Sequence, residues 1–510
     1  MRAGSFSIAL LTGILLVLSP WAWSPDVAVA STVNVEVGSP VYEDIEFLSA
    51  VGLLDTAMIG TLPLSREEVA RLVVEARIKA GIEGSLSKRQ ERILKRMEEE
   101  FSEDIDDLKT GNDTVYFKPV REAGGHYLYL DQKPSRHPNF GQTTDAIQRA
   151  FTYNMEGVDY RQNNGVAYVT MDGRIKLFSF FFKPFLTFRE VSSGNTNFTF
   201  QKGYGKFGSK VQIQFGQDSK WWGQGRHGSL LLSNNAEPLL AVEVKNGRPI
   251  LIPLFGLLKF NVFFGWLEKD RDFERPYISG MRLTFKPRPW MEFGFYRTAI
   301  FGGSGRPSLD FGDALEIIFI GRSDSEKFED NTSNQIAGLD IRINLKKLKT
   351  DLYFEWAGED VHSDIPYPYK RAHIIGVYMA DVLGFSVRSE FFESKRPGVW
   401  YRHGVYTSGY TFKERVLGHH AGGDAEDLFI ELHREFSDNI GVTGSFDIEK
   451  RGFNLPVLET HYQYQGKIRL RFYPYLAELT GGWEQVKNPG FAPGKREDNY
   501  VGIISVKRFF

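Results

Sequence analysis

The chain has 510 residues, with 62 basic and 64 acidic side chains and no cysteine. Its formal net charge of −2 argues against a nucleic-acid binder, which needs a basic surface. The lack of cysteine excludes disulfides, thiolate metal sites, cysteine nucleophiles and the lipid-modified N-terminal cysteine of a bacterial lipoprotein. After the N-terminus no stretch is long and apolar enough for a membrane helix. A membrane β-barrel is not excluded, because its strands alternate between apolar and polar residues and therefore have a polar average.

The N-terminus has the three parts of a secretory signal peptide. Arg2 supplies a positive charge, Ile8 to Leu18 an apolar core, and Ala28-Val29-Ala30 a small-residue cleavage site. A membrane anchor is the alternative, which the shortness of the apolar core disfavours. We therefore predict that residues 1–30 are a cleaved signal peptide. An exported chain without cysteine indicates a bacterial envelope protein more than a secreted eukaryotic protein, since the latter usually has disulfides.

The segment 31–113 has the 3.6-residue period of helices. Ser39-Pro40 predicts the start of a first helix, Ser65 to Glu68 forms a capping-box pattern for a second, and Ser87 opens a third. The charged halves of the third helix are expected to face solvent. We predict a small periplasmic module of three helices, whose apolar faces carry Ile45, Leu48, Val51, Val69, Leu72, Val73, Ala76, Ile93, Leu94, Met97 and Phe101.

From residue 114 to 510 the apolar period changes to two, as in β-strands. Long polar segments such as 393–427 alternate with short turns, which is the asymmetry of an outer-membrane barrel. A soluble sandwich or propeller is the alternative, but the chain shows no fixed repeat. At roughly 22 residues per strand and connection, we predict an all-β transmembrane antiparallel barrel of about 18 strands. Four hairpins carry the pattern: Met281, Leu283, Phe285 with Met291, Phe293, Phe295; Ile341, Ile343, Leu345 with Leu352, Phe354, Trp356; Leu428, Ile430, Leu432 with Ile440, Val442, Phe446; and Ile468, Leu470, Phe472 with Ala477, Leu479, Trp483.

The polar alternates of these strands are expected to point into the barrel lumen, where charge is tolerated. They include Arg282, Lys286, Arg342, Arg469 and Arg471. Closure of the barrel removes open sheet edges, as lipid requires.

The last strand alternates in the same way and stops at an aromatic residue. Tyr500, Gly502, Ile504, Val506 and Phe510 share one face, on which only Arg508 departs from the pattern. This strand resembles the C-terminal signal strand that the barrel-insertion machinery recognises. We therefore expect this machinery and outer-membrane lipid as partners, and we expect a monomer.

No motif for catalysis or for a cofactor stands out. Gly203 to Gly208 matches G-x-G-x-x-G, but the alternating residues that follow it predict a barrel turn and not a dinucleotide site. No nucleophile, base and orienting residue occur at a recognisable spacing, so we expect no enzyme and no cofactor. His419-His420 with Asp424, Glu426 and Asp427 could bind a divalent cation, but solvated loop charge is more common and we expect no metal.

The segment 215–244 is rich in residues that bind sugars. Aromatic faces stack on pyranose rings, and amide, guanidinium and imidazole groups bond to hydroxyl and uronate groups. The alternative is that the tryptophans form a membrane-interface girdle and the asparagines cap a turn, and residue types alone do not decide. The candidate polysaccharide-binding residues are Trp221, Trp222, Arg226, His227, Asn234 and Asn235.

Motifs in this segment resemble the capsule assembly Wzi family of outer-membrane proteins. They are Trp222-Gly223-x-Gly225 and Ser229-Leu230-x-Leu232-Ser233-Asn234-Asn235-Ala236-x-Pro238, with further similarity in Tyr42 to Ala76 and in Gly418-His419-x4-Asp424-x2-Asp427-Leu428. The resemblance implies an 18-stranded barrel with a periplasmic helical module. It also implies a non-enzymatic lectin that holds capsular polysaccharide or exopolysaccharide on the cell surface, without fixing the residues that contact sugar.

The leading hypothesis is therefore a polysaccharide-binding barrel whose long loops and segment 221–235 engage the polymer. The charged lumen motivates a second hypothesis, an outer-membrane porin or channel for polysaccharide or small solutes. An outer-membrane enzyme is the third.

Overall fold

The computed structural model describes most of the chain after the N-terminus. The described residues are 31–111, 115–131, 135–137, 146–148, 151–160, 162–189, 195–306, 312, 317–318, 333–359, 371–395 and 400–510. The predicted signal peptide, residues 1–30, lies outside them.

The N-terminal part folds into short helices, as its period predicts. Ser65 accepts a hydrogen bond from the Glu68 amide at 3.2 Å, and Ser87 and Gln90 form a complete capping box. The first helix begins at Val41, one residue after the predicted start at Pro40. Pro40 lies in the turn before the helix, in which the Tyr42 amide donates to the Ser39 carbonyl. No helix among the described residues is long and apolar enough to cross a membrane. The helices are α1 Val41–Ala50, α2 Arg66–Glu83, α3 Lys88–Glu100 and α4 Ser102–Thr110.

The described residues thus hold four helices of this kind where the sequence predicted three. The predicted third helix breaks at Phe101, whose backbone leaves the helical region and whose ring is fully buried. Arg66 lies over this ring at 4.5 Å and bonds to the Glu100 carbonyl and to Asp104. These contacts hold the chain at the angle where α4 begins.

In the described part of the chain, eighteen long strands form a closed antiparallel barrel, as predicted. Each strand pairs with its neighbours in sequence, and the last strand closes on the first with Phe509 opposite Glu122 and Val501 opposite Leu130. The strands are β1 Tyr116–Leu130, β2 Asn163–Ile175, β3 Phe178–Arg189, β4 Asn195–Gly208, β5 Val211–Asp218, β6 Leu239–Asn246, β7 Gly256–Trp266, β8 Tyr277–Arg288, β9 Met291–Phe301, β10 Ser333–Leu345, β11 Thr350–Gly358, β12 Arg371–Val382, β13 Phe385–Glu393, β14 Ala425–Glu435, β15 Ile440–Arg451, β16 Glu459–Phe472, β17 Tyr475–Lys487 and β18 Arg496–Phe509.

Short elements accompany the barrel. Among the residues that the structure describes, three small strand pairs lie outside the barrel sheet, and one three-residue strand pairs with the start of β7. The pairs are Thr61–Leu62 with Trp221–Trp222, Ser135–His137 with Ala146–Gln148, and Thr411–Phe412 with Arg415–Val416; the added strand is Ile250–Ile252, and the 3-10 helices are Lys346–Leu348 and Pro489–Phe491.

The four predicted hairpins are confirmed in their register. Leu283 lies opposite Phe295, Ile341 opposite Phe354, Ile430 opposite Phe446, and Leu470 opposite Ala477. The G-x-G-x-x-G match does not form the predicted turn. It lies within β4, because the alternation of that strand continues through it, and only Gly208 reaches the turn.

The two faces of the wall differ as the alternation predicts. Apolar side chains on the outer face are exposed, among them Phe295, Ile375, Leu479 and Ile504 at 51–55 %. The alternates Arg282, Lys286, Arg342 and Arg469 point inward and are buried, and Arg471 is partly buried.

The inward charges bind the N-terminal helical module instead of lining an open channel. Arg342 lies 2.9 Å from Glu46, and Arg469 lies 2.7 Å from Glu43, both on α1. The helices lie at the short-turn end of the barrel, where α3 contacts the β12 end and the turn between β14 and β15. The N-terminal module therefore fills the lumen from this end.

Candidate functional site

The residues between β5 and β6 enter the lumen. This stretch, 219–238, is called the inner segment below. Its Trp221–Trp222 pair forms an antiparallel bridge with Thr61–Leu62 of the N-terminal module, and Trp222 also pairs with Leu232 farther along the segment. The tryptophan motif of the sequence is therefore the point at which module and inner segment meet.

The six candidate polysaccharide-binding residues all lie on the inner segment, and five of them are buried. Trp222 is fully buried against Phe263, with ring centroids 5.4 Å apart, and the Trp221 indole donates to the Gly225 carbonyl at 2.9 Å. Because the segment folds into the lumen, Trp221, Trp222, His227, Asn234 and Asn235 are buried and Arg226 is partly buried, so their role in polysaccharide binding stays a prediction.

The polar groups of the inner segment bond mainly to backbone. Arg226 donates to the Ile59 carbonyl at 3.1 Å, and the Asn235 amide donates to the Val416 carbonyl at 2.9 Å. Ser233 donates to the Gly418 carbonyl at 2.6 Å. Val416 and Gly418 belong to residues 400–424, called the second inner loop, so the amide and hydroxyl groups tie these two interior stretches together.

Two wall glutamates hold the glycine-rich turn of the inner segment. Glu355 accepts hydrogen bonds from the Gly225 and Leu230 amides at 2.7 and 3.1 Å. Glu390 accepts from the Arg226 and His227 amides at 2.8 and 3.0 Å. Neither glutamate was among the predicted site residues, although their strand positions place them on the inward face with the other polar alternates.

A cluster of histidines and aspartates lies where the inner segment, the second inner loop and the wall meet. His227 Nε2 is 3.2 Å from Asp447 Oδ2 and 3.4 Å from Asp427 Oδ2. His420 Nε2 is 3.2 Å from Asp427 Oδ2, and His419 Nε2 is 3.9 Å from the same atom. All five side chains are buried.

The cluster differs from the cation candidate of the sequence. Asp427 joins the two adjacent histidines, whereas Asp424 bonds to Asn454 and Glu426 pairs with Lys395. His227 and Asp447 come from distant parts of the chain and were not associated with this group.

The environment shifts the pKa values of the loop histidines in opposite directions. Burial lowers the pKa of His419 and His420 well below the ordinary value, and neighbouring histidines add to this effect. For His227 burial acts in the same direction, but the carboxylates of Asp427 and Asp447 outweigh it and raise the pKa.

The inner segment also packs closely against the His419 ring. A Cβ atom on Gly228 would overlap this ring, so the contact requires glycine at that position.

Two known proteins are similar to this chain, one in sequence and one in fold. A protein of 55.8 kDa in the cps region of Klebsiella pneumoniae, itself uncharacterized, is 24 % identical in an alignment of 371 residues that covers 70 % of this chain and 63 % of that protein. The match thus spans less than two thirds of the relative's length. The solved structure of Wzi from Escherichia coli, a carbohydrate-binding β-barrel involved in group 1 capsule assembly, has the same fold, with a TM-score of 0.70, 18 % identity, and coverage of 94 % of this chain and 99 % of that one.

The family model for the capsule assembly protein Wzi matches residues 133–500, which span most of the barrel. This match confirms the resemblance seen in the motifs of the inner segment. Since it covers well over half of the chain, the protein belongs to the capsule assembly protein Wzi family.

Proposed function

We propose that the protein attaches an exported capsular polysaccharide or exopolysaccharide to the cell surface and catalyses no reaction. The observation that carries this proposal is membership of the capsule assembly family together with a lumen filled by the chain's own helical module. The Escherichia coli protein with the same fold is carbohydrate-binding, which supports the same ligand class for this chain.

The proposed location is the bacterial outer membrane. The exposed apolar side chains of the wall match the lipid-facing band of such barrels. In this arrangement the short turns and helices 41–110 face the periplasm, and the long loops face outward. Cleavage of residues 1–30, a monomeric state, and recognition of the Phe510 strand by the insertion machinery are part of the proposal.

Transport is the less favoured function. A channel would need its inward charges to face water, whereas Arg282 bonds to Thr61 and Asp340, and Lys286 bonds to the Ala57 carbonyl. In the described part of the lumen these charges hold the N-terminal module in place.

We propose that the six candidate residues affect polymer binding indirectly, by holding the surface that contacts the polymer in its conformation. Asn235 donates to Val416 of the second inner loop, and Trp222 pairs with Leu232, next to Ser233, which donates to Gly418 of the same loop. This loop reaches the exposed Lys413 near Glu237 at the long-loop end. Polymer would then contact the long-loop surface, and Trp222 and Asn235 would stabilise the conformation of this surface without contacting the polymer.

Deletion of the gene is expected to release the polymer from the cells without stopping its synthesis. The physical reason is that a binding barrel retains finished polymer but forms none of its bonds. Polymer in the cell-bound and medium fractions is measured by a uronic-acid or total-sugar assay, with the restored gene as control. Unchanged retention, or loss of polymer from both fractions, contradicts the proposal.

The double variant Trp222→Ala with Asn235→Ala is expected to bind the organism's own polymer about tenfold more weakly, a difference of about 1.4 kcal/mol. The loss follows from a loosened second inner loop. Binding is measured with purified protein in detergent, and circular dichroism verifies that the barrel is folded. Trp290→Ala, at a short turn and 44 % exposed, is the matched control. Equal affinity of a folded double variant and the wild type would remove this site from the proposal.

A further inference from the structure

We propose that His227, His420, Asp427 and Asp447 form a binding site for one zinc ion inside the barrel. The four residues come from the inner segment, the second inner loop, β14 and β15. A metal ion here would connect the two interior stretches to the wall. The inference rests on the fold and is independent of the proposed polysaccharide function.

The spacing of the side-chain atoms matches tetrahedral coordination. One ligand atom from each residue lies within 4.8 Å of the others, and three of the histidine–aspartate distances are 3.2, 3.2 and 3.4 Å. Zinc bonds of about 2.0–2.2 Å at tetrahedral angles place neighbouring ligand atoms roughly 3.3–3.6 Å apart. Three histidine–aspartate pairs already lie close to this spacing, and the remaining ligand atoms, at most 4.8 Å apart, would move closer together around one ion.

The carboxylates have coordination capacity that hydrogen bonds do not use. Among the described residues, neither oxygen of Asp427 accepts a hydrogen bond, nor does Asp447 Oδ1, although both side chains are nearly inaccessible. Buried carboxylate oxygens normally find donors, since an unsatisfied one costs free energy. A cation between them would satisfy these oxygens.

A second buried histidine in the same barrel shows the contrasting arrangement. His461 Nδ1 bonds to Glu484 at 2.8 Å, and its Nε2 bonds to Glu459 at 2.9 Å. There both ring nitrogens have carboxylate partners with hydrogen-bond geometry. In the proposed site the corresponding contacts have ion-pair distances, but those to Asp427 lack hydrogen-bond geometry.

Aromatic stacking holds the two histidine rings in fixed orientations. His227 stacks on Phe429 with centroids 3.8 Å apart, and His420 stacks on Tyr153 with centroids 4.0 Å apart. The two imidazoles are nearly perpendicular to each other, at 87°. The stacking keeps both imidazoles in place beside the two carboxylates.

The ligand set selects the class of metal. Two imidazole nitrogens with two carboxylate oxygens suit zinc, whereas calcium and magnesium prefer oxygen ligands and higher coordination numbers. The charges also match, because two carboxylates neutralise one divalent cation in a buried space.

The test uses the full mature chain without a polyhistidine tag, purified in detergent and treated with EDTA. Zinc chloride is then added, excess metal is removed, and bound zinc is measured by mass spectrometry. We expect one zinc per chain, a higher thermal unfolding midpoint with zinc than without it, and at least tenfold weaker zinc binding in Asp427→Asn. His461→Gln, the matched buried control, is expected to bind zinc as the wild type does.

X-ray absorption of the zinc-loaded wild type gives a readout that does not depend on a variant. We expect two imidazole nitrogens and two oxygen ligands. The proposal is overturned if the wild type retains no stoichiometric zinc, if the absorption spectrum shows no imidazole ligands, or if a folded Asp427→Asn variant binds zinc as tightly as the wild type. An equal loss in His461→Gln also overturns it.

Discussion

Glu46→Gln is expected to destabilise the docked N-terminal module by about 3–5 kcal/mol. Glu46 lies on α1 inside the barrel with a 1 % exposed side chain. Its carboxylate is 2.9 Å from Arg342 on β10 and 2.5 Å from Arg388 on β13, and Arg226 of the inner segment lies at 3.9 Å. One carboxylate therefore joins the module to two parts of the wall and to the inner segment.

The expected loss is large because the partners cannot reach water. Arg342 retains Asp351 and Arg388 retains Glu390, but both guanidinium groups lose their shared anion in a buried space. Removing one member of a buried ion pair leaves an uncompensated charge, which costs far more than loss of a surface pair. A neutral glutamine keeps the shape of the side chain, so the substitution isolates the effect of charge.

The free energy of unfolding is measured by urea titration in detergent micelles, followed by tryptophan fluorescence. Glu91→Gln on α3 is the matched control: Glu91 is 54 % exposed and pairs with Arg77 at 3.1 Å. We expect this control to change stability by less than about 1 kcal/mol. A Glu46→Gln variant as stable as Glu91→Gln would show that the arginines do not depend on Glu46.

The same variant also distinguishes a filled barrel from a channel. In a planar lipid bilayer we expect no steady current from the wild type, because the module occupies the lumen. Glu46→Gln is expected to produce intermittent current steps when the module loosens. Steady open currents from the wild type would favour the transport function instead.

The barrel could be predicted from the sequence because residue parity is a local property. Alternation in the Met281 to Phe295 hairpin determines which side chains face outward, and the structure has Leu283 opposite Phe295 as this parity requires. The start of the helix after Ser87 could be predicted for the same reason, because Ser87 and Gln90, three residues apart, form its capping box. The break at Phe101 was missed because it depends on packing and on Arg66, which lies far away in the sequence.

The position of the inner segment could not be predicted in this way. Tryptophan, glycine and asparagine suit a sugar platform as well as a buried plug, since both use ring faces and amide hydrogen bonds. Trp222 pairs with Thr61 of the N-terminal module. His227 contacts Asp447 of the barrel wall, and these two residues are 220 residues apart in sequence. Such contacts follow from the closed topology, which brings together strands and interior stretches that are far apart in sequence.

Acidification is expected to weaken the docking of the module through the same carboxylate. Burial on its own would raise the pKa of Glu46, but Arg388, Arg342 and Arg226 outweigh it and lower the pKa to about 2 from the ordinary 4.5. Glu36, beside Lys183 and Lys202, also has a lowered pKa for the same reason. A carboxyl group with a lowered pKa stabilises the folded state above its unfolded pKa, and this contribution is lost as the pH falls toward the folded value.

For Glu46 the stabilisation is thus complete above about pH 5 and is lost between about pH 4.5 and pH 2, at about 3 kcal/mol in total. The free energy of unfolding is measured in micelles at pH 7, 5, 4 and 3 for the wild type and Glu46→Gln. Other carboxyl groups titrate in both proteins, so the difference between the two curves isolates Glu46. We expect this difference to be largest at pH 7 and to shrink as the pH falls to 3. A constant difference across the range would mean that Glu46 binds no proton on unfolding. That outcome would contradict the lowered pKa, which follows from the close approach of three guanidinium groups to one buried carboxylate.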